Sequence, residues 1–197
     1  MNLPNKITMV RIFLAVIVLV LLMFPFYEFG FEFPKYLLAG KVLIDLKYII
    51  AGVLFLIASL TDFIDGYIAR KNNLVTDFGK VMDAIADKVL VNGLLIILAN
   101  VGFISVVIPV VVIIRDIAVD SIKMVVGNKQ GAVGASITGK IKTIFMMTGL
   151  TLILFYNLPF ELISFRLADF LILIATVLSV VSGIEYFVKN KKFLVEK

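Results

Sequence analysis

Between residues 62 and 87 the chain sets out four carboxylates in the pattern Asp62-x-x-Asp65-Gly66-x-x-Ala69-Arg70, then Gly79-x-x-x-Asp83-x-x-x-Asp87. On a helix, Asp62, Asp65, Gly66 and Ala69 fall at i, i+3, i+4 and i+7, and Gly79, Asp83 and Asp87 at i, i+4 and i+8. Acids and small residues therefore share one face of each helix. Two such stripes facing one another offer oxygen ligands for divalent cations. Close packing of helices would explain the small residues alone, but not the aspartates beside them. Arg70 and Lys88 are the cations expected at comparable depth, and the surplus of negative charge calls for a bound metal ion. The whole chain has no His and no Cys, which removes disulfides, thiolate zinc sites and the commonest general base. Any metal must then be a hard ion such as Mg²⁺ or Mn²⁺, and any base Asp, Glu, Lys or Tyr. Spacing alone does not rank Asp87 above Asp83 for that role.

The elements that must position these residues lie in lipid. A hydrophobic fraction of 61% and a charged fraction of 17%, with a mean hydropathy of +1.10, are those of an integral membrane protein. The 197 residues leave room for about six spans of roughly 20 residues. Apolar runs over 7–24, 49–69, 79–99, 103–126, 141–156 and 167–188 predict an all-α fold of six transmembrane helices in a single domain, 1–197. The first run could pass for a signal peptide, but Met23-Phe24-Pro25-Phe26-Tyr27 is bulky where a cleavage site needs small residues, so it is read as a retained helix. A cytoplasmic N terminus puts Lys6, Arg11, Arg70, Lys71, Lys80, Lys123, Lys129, Lys140, Lys142, Lys189, Lys191, Lys192 and Lys197 at or near that side. Lys35, Lys41, Lys47 and Arg166 fall outside. The positive-inside rule favours both termini in the cytoplasm and a multi-pass protein of the cell membrane. The aromatic connection 25–36 suits the headgroup region.

At about 1.5 Å per residue, Asp62 and Asp87 each lie roughly 12 Å from the inner ends of their spans, and Asp120 and Arg115 roughly 9 and 16 Å from the inner end of the fourth. Charges from three helices thus converge on one layer, which predicts a polar cavity opening to the cytoplasmic side. A cation transporter would instead line a path through the bilayer, yet the outer halves of the spans are nearly free of charge. A purely structural salt-bridge network is disfavoured by the surplus of aspartates over Arg70 and Lys88.

The pattern from Asp62 to Asp87 resembles, at every defined position, the signature of the CDP-alcohol phosphotransferase family, and the likeness extends over nearly the whole chain. The resemblance implies transfer of a phosphatidyl or similar group from a CDP-activated donor to an alcohol. It implies Asp62, Asp65, Asp83 and Asp87 as ligands of a pair of Mg²⁺ or Mn²⁺ ions, with Asp87 also as the base. It points to Gly66, Ala69, Arg70 and Gly79 around the donor's diphosphate and nucleotide, and to Thr76 as a further contact. Thr76 and Asp77 could equally cap the third helix. The opening stretch Asn2 to Arg11 resembles the branch of the family that uses CDP-diacylglycerol and sn-glycerol 3-phosphate. That likeness places Asn5 and Thr8 near the cytidine, the alternatives being Asn5 as a helix cap and Arg11 as an anchor for lipid phosphate.

An acceptor carrying a phosphate wants cations near the metal cluster, and Arg115, Lys123, Lys140 and Lys142 can supply them. Gly139-Lys140-Ile141-Lys142-Thr143 and Ser182-Gly183-Ile184-Glu185-Tyr186-Phe187 also resemble the family. The chain departs from the usual pattern of that branch at Ala84, where Pro is general, at Asp116, where Glu is usual, and at Lys123, where Arg is common. These departures bear on the acceptor, with inositol phosphate, serine or phosphatidylglycerol as alternatives, more than on the reaction class. Resemblance further implies a homodimer. No nucleic-acid partner is expected.

Overall fold

The computed structural model describes residues 3–72, 76–130 and 136–194. Six helices account for most of them: α1 (Leu3–Met23), α2 (Leu46–Lys71), α3 (Asp77–Asn100), α4 (Val107–Gln130), α5 (Ile137–Leu154) and α6 (Leu167–Leu194). Four of these, α1, α2, α5 and α6, are long and apolar enough to cross a membrane. The fold is that of a helical membrane protein, with four candidate spans among the described residues where six were expected. The other two helices carry Asp83, Asp87 and Lys88 or Arg115, Asp116, Asp120 and Lys123 within their length, which dilutes the hydropathy that marks a span.

Helix ends fall where local chemistry puts them. α3 begins after Thr76, whose hydroxyl accepts from the Gly79 N–H at 3.0 Å, and α5 after Ser136, which accepts from Gly139 N–H at 3.1 Å; both satisfy a donor that the first turn leaves unpaired. α5 thus starts earlier than the apolar run at 141, because Thr138, Gly139 and Lys140 are helical without being hydrophobic. α4 starts later than predicted, after a turn over 101–106, and holds Pro109 in its first turn, where no intrahelical N–H is needed.

The packing divides the helices into two groups. α1 lies against α2 and α3, while α6 lies against α4 and α5; α2 with α5, and α3 with α4 and α5, join the groups. A single apolar core runs through both, with Val18, Phe55, Leu94, Met146, Leu150 and Ile172 buried. Between α1 and α2 the chain adds what the apolar pattern had not predicted, an antiparallel hairpin of β1 (Lys35–Leu38) and β2 (Val42–Asp45). The hairpin end of the bundle is closed by Tyr48, Phe103 and Tyr156, ring centroids 5.0 to 6.0 Å apart. Tyr156 Oη accepts from the Asp45 N–H at 2.8 Å. The aspartate motif lies toward the opposite end, which also holds the start of α1 and the end of α6.

Candidate active site

The acidic cluster is assembled by α1, α2 and α3. Asp62, Asp65 and Asp83 each offer an oxygen within 4.8 Å of the others, so the two stripes do face one another. Asp65 is buried and its Oδ2 accepts from the Thr8 hydroxyl of α1 at 3.0 Å. Asp62, Asp83 and Asp87 keep 35%, 46% and 47% of their side chains exposed, so the cluster opens on one side. At its centre is Arg11 of α1, with 1% of its side chain exposed. Nη1 donates to Asp62 and Nη2 to Asp83, and Nη1 stands 3.8 Å from Asp87 Oδ1.

This corrects the expected charge balance. Arg11 is not at the lipid surface; it is a cation of the cluster. Lys88, counted as a counter-charge for the motif, instead donates to Asp120 of α4. Among the described residues, the four motif aspartates are set against the Arg11 guanidinium. The side chains of Arg70 and Asp77 lie outside the described residues. Asn5, Thr8 and Arg11 are all buried, and their recurrence at every third position on a helix that is apolar apart from them and Lys6 is the signal that could have identified Arg11 as a site residue.

Next to the cluster, Asn5 Nδ2 donates to the Thr76 hydroxyl at 3.1 Å, tying the start of α1 to the start of α3. Thr76 is the N-cap of α3, so the capping alternative is what the geometry shows, and it serves α1 with the same oxygen. Gly79 leaves the room for this: a Cβ there would stand 2.7 Å from Asn5 Oδ1 and 3.0 Å from Thr76 Oγ1. Gly66 and Ala69 continue the motif face of α2 toward the same end, both half-buried.

A second polar cluster belongs to α4, α5 and α6. Arg115 Nε donates to Ser179 O at 2.9 Å, Nη1 to Asp116 Oδ1 at 2.9 Å and Nη2 to Ser182 Oγ at 2.6 Å. Lys142 Nζ of α5 donates to the same Asp116 oxygen at 3.0 Å. Lys123 Nζ lies 5.3 Å from the centroid of the Tyr186 ring, a cation–π distance. Arg115, Lys123 and Lys142 are thus brought together, whereas Lys140 is exposed. Gly183 lets α4 approach α6, since a Cβ would meet Arg115 Cγ at 3.0 Å. The two segments 139–143 and 182–187 lie near one another: Thr138, just before the first, donates to Glu185 Oε1 at 2.9 Å. The Lys88–Asp120 pair links the two clusters across α3 and α4.

Chemically, the first cluster is, among the described residues, a set of hard oxygen donors around the Arg11 guanidinium, and the second a group of cations gathered about Asp116. The first suits a divalent ion and, through it, a phosphate; the second suits an anion.

The profile of the CDP-alcohol phosphatidyltransferase family matches residues 1–183. A protein of Bacillus subtilis named CDP-diacylglycerol–glycerol-3-phosphate 3-phosphatidyltransferase is 43% identical over 189 residues, covering 96% of this chain and 95% of its own. A Rickettsia bellii protein of the same name is 33% identical over 193 residues, 98% of this chain and 97% of its own. One from Mycoplasma pneumoniae is 37% identical over 148 residues, 74% of this chain and 64% of its own.

Proposed function

The chain belongs to the CDP-alcohol phosphatidyltransferase family, and we infer that it transfers the phosphatidyl group of CDP-diacylglycerol to sn-glycerol 3-phosphate, giving phosphatidylglycerophosphate and CMP. The observation that carries this reading is the pairing of an acidic cluster on α1–α3 with a basic cluster on α4–α6, linked by Lys88 and Asp120. A diphosphate donor needs the first and a phosphorylated acceptor the second.

The donor set fits Mg²⁺ or Mn²⁺, being all oxygen and converging within 4.8 Å for three of its members. A pair of such ions on Asp62, Asp65, Asp83 and Asp87 would offset the diphosphate charge and polarise the phosphorus under attack. The chain's own residues do the rest. Asp87 stands apart from the close trio of carboxylates, which supports its assignment as base: it takes the proton of the attacking acceptor hydroxyl as the new P–O bond forms. The P–O bond to the nucleotide breaks, and its electron pair leaves with CMP. Asn5 and Thr8 take the cytidine side of the donor, and Gly66, Ala69, Arg70, Thr76 and Gly79 surround its diphosphate and nucleotide. Arg115, Lys123 and Lys142 hold the acceptor phosphate, with Lys140 at its approach. Asp116 keeps Arg115 and Lys142 in place, because one oxygen accepts from both.

All six helices span the cell membrane in this reading, both termini are cytoplasmic, and the acidic cluster opens to the cytoplasm. Lys35, Lys41, Lys47 and Arg166 lie at the hairpin end, and Lys189, Lys191 and Lys192 at the other, as the positive-inside rule requires. The protein acts as a homodimer. The deciding experiment is CMP release from CDP-diacylglycerol by the purified protein in detergent, with glycerol 3-phosphate, inositol phosphate, serine or phosphatidylglycerol offered in turn. Turnover with glycerol 3-phosphate is expected. Turnover with another acceptor in its place would overturn the acceptor, and no CMP release with any of them would overturn the reaction.

A further inference from the structure

Arg11 lies outside the aspartate motif, yet its guanidinium joins the two helices that carry it. The side chain is 1% exposed, and its two terminal nitrogens are divided between Asp62 on α2 and Asp83 on α3. Asp62 and Asp83 are also two of the three residues whose oxygens come close enough to share a metal ion. Nε is buried and has no hydrogen-bond partner among the described residues. A buried guanidinium ordinarily uses its donors, so the present arrangement is not one in which this side chain makes all the bonds it can. The guanidinium holds Asp62 Oδ1 and Asp83 Oδ1, so a divalent ion that took either of these oxygens at bonding distance would have to displace it.

We propose that Arg11 is the built-in counter-ion of the carboxylate cluster and competes with the divalent cation for it: Arg11 bridges Asp62 and Asp83, and releases both when a cation binds. This rests on the reading of the aspartates as a metal site. Thr8 keeps Asp65 engaged throughout, since its hydroxyl bond at 3.0 Å does not involve Arg11. The exchange replaces a single positive charge by a larger one among four carboxylates. Arg11 thereby lets the bundle close around these acids without an ion, at the cost of weaker ion binding.

The test measures Mn²⁺ binding by titration calorimetry on the full chain in detergent, without substrates, alongside thermal unfolding in chelator. Arg11→Gln should bind Mn²⁺ tighter than the unaltered protein by on the order of 10-fold or more, because its competitor is gone. It should also unfold at a lower temperature in chelator and regain more on adding Mn²⁺. Arg11→Lys keeps the charge but cannot fork across two carboxylates, so it should fall between the two. Unchanged or weaker Mn²⁺ binding by Arg11→Gln would overturn the proposal. So would Arg11→Lys matching the unaltered protein while Arg11→Gln binds tighter, since charge at a distance would then suffice. Should Arg11→Gln fail to fold, Arg11→Lys decides alone: tighter binding supports competition, and equal or weaker binding rejects it. Mn²⁺ binding by Arg11→Gln but not by the unaltered protein would support it in the extreme. Absence of binding in both would remove the metal site itself, and the proposal with it.

Discussion

Arg115→Ala removes three hydrogen bonds: Nε to Ser179 O at 2.9 Å, Nη1 to Asp116 Oδ1 at 2.9 Å and Nη2 to Ser182 Oγ at 2.6 Å. None of the partners is orphaned. Asp116 keeps Lys142 at 3.0 Å, and the Ser182 hydroxyl still donates to Ser179 O at 3.0 Å. The penalty of about 3–5 kcal/mol for stranding a buried charge therefore does not apply, and the loss of stability should be about 1–3 kcal/mol. Acceptor use should suffer separately. A charge-assisted contact to a phosphate is worth about 1.5–3 kcal/mol, so kcat/KM for glycerol 3-phosphate should fall by roughly 10- to 150-fold. Donor KM should barely change, because the acidic cluster is built by α1–α3 and makes no hydrogen bond to Arg115 among the described residues. Arg115→Lys should recover only part of the loss, having the charge without the planar fork. The assay is CMP release against glycerol 3-phosphate at saturating donor, repeated against donor at saturating acceptor, with thermal unfolding of each variant. An unaltered dependence on glycerol 3-phosphate, or donor and acceptor use falling together, would refute the acceptor role. Rescue of activity in Arg115→Ala/Asp116→Ala would do the same, showing that Arg115 only neutralises Asp116.

Activity should vanish in excess chelator and return with Mg²⁺ or Mn²⁺, with Zn²⁺ a poor substitute for want of nitrogen or sulfur ligands; full turnover in chelator would sink the metal-centred scheme. Asp87→Asn should still bind CDP-diacylglycerol with metal but lose on the order of 10²–10⁴ in kcat from proton transfer alone, whereas Asp62→Asn and Asp83→Asn should weaken metal and donor binding. Should Asp87→Asn lose donor binding as severely as they do, Asp87 is a ligand and not the base. Gly79→Ala puts a Cβ 2.7 Å from Asn5 Oδ1, so the Asn5–Thr76 bond must break at a cost of about 1 kcal/mol. Unfolding temperature should drop and donor KM rise while acceptor KM holds, and a donor KM equal to that of the unaltered protein would count against Asn5 and Thr76 as donor contacts.

Much of the candidate site is legible in the sequence, because helical periodicity is a local property. Asp62, Asp65 and Gly66 share a face whatever surrounds them, and so do Gly79, Asp83 and Asp87. The absence of His and Cys, the apolar runs and the surplus of acid follow from residue identity alone. They limit any metal to a hard cation and any base to Asp, Glu, Lys or Tyr, in a membrane bundle. What the sequence could not assign was partnership between helices distant along the chain. Arg11 is separated from Asp62 by 51 residues and from Asp83 by 72, and the local pattern that groups it with Asn5 and Thr8 does not say which carboxylates it meets. Lys88 sits next to Asp87 in sequence, but the rotation of α3 turns it to Asp120 on α4. Likewise Arg115 and Lys142 meet on Asp116 only because α4 and α5 pack on α6. The type of each group is set by the chain and its face by the helix. Which opposite charge it meets depends on the angle and register at which helices pack, and side chains far apart in sequence decide both.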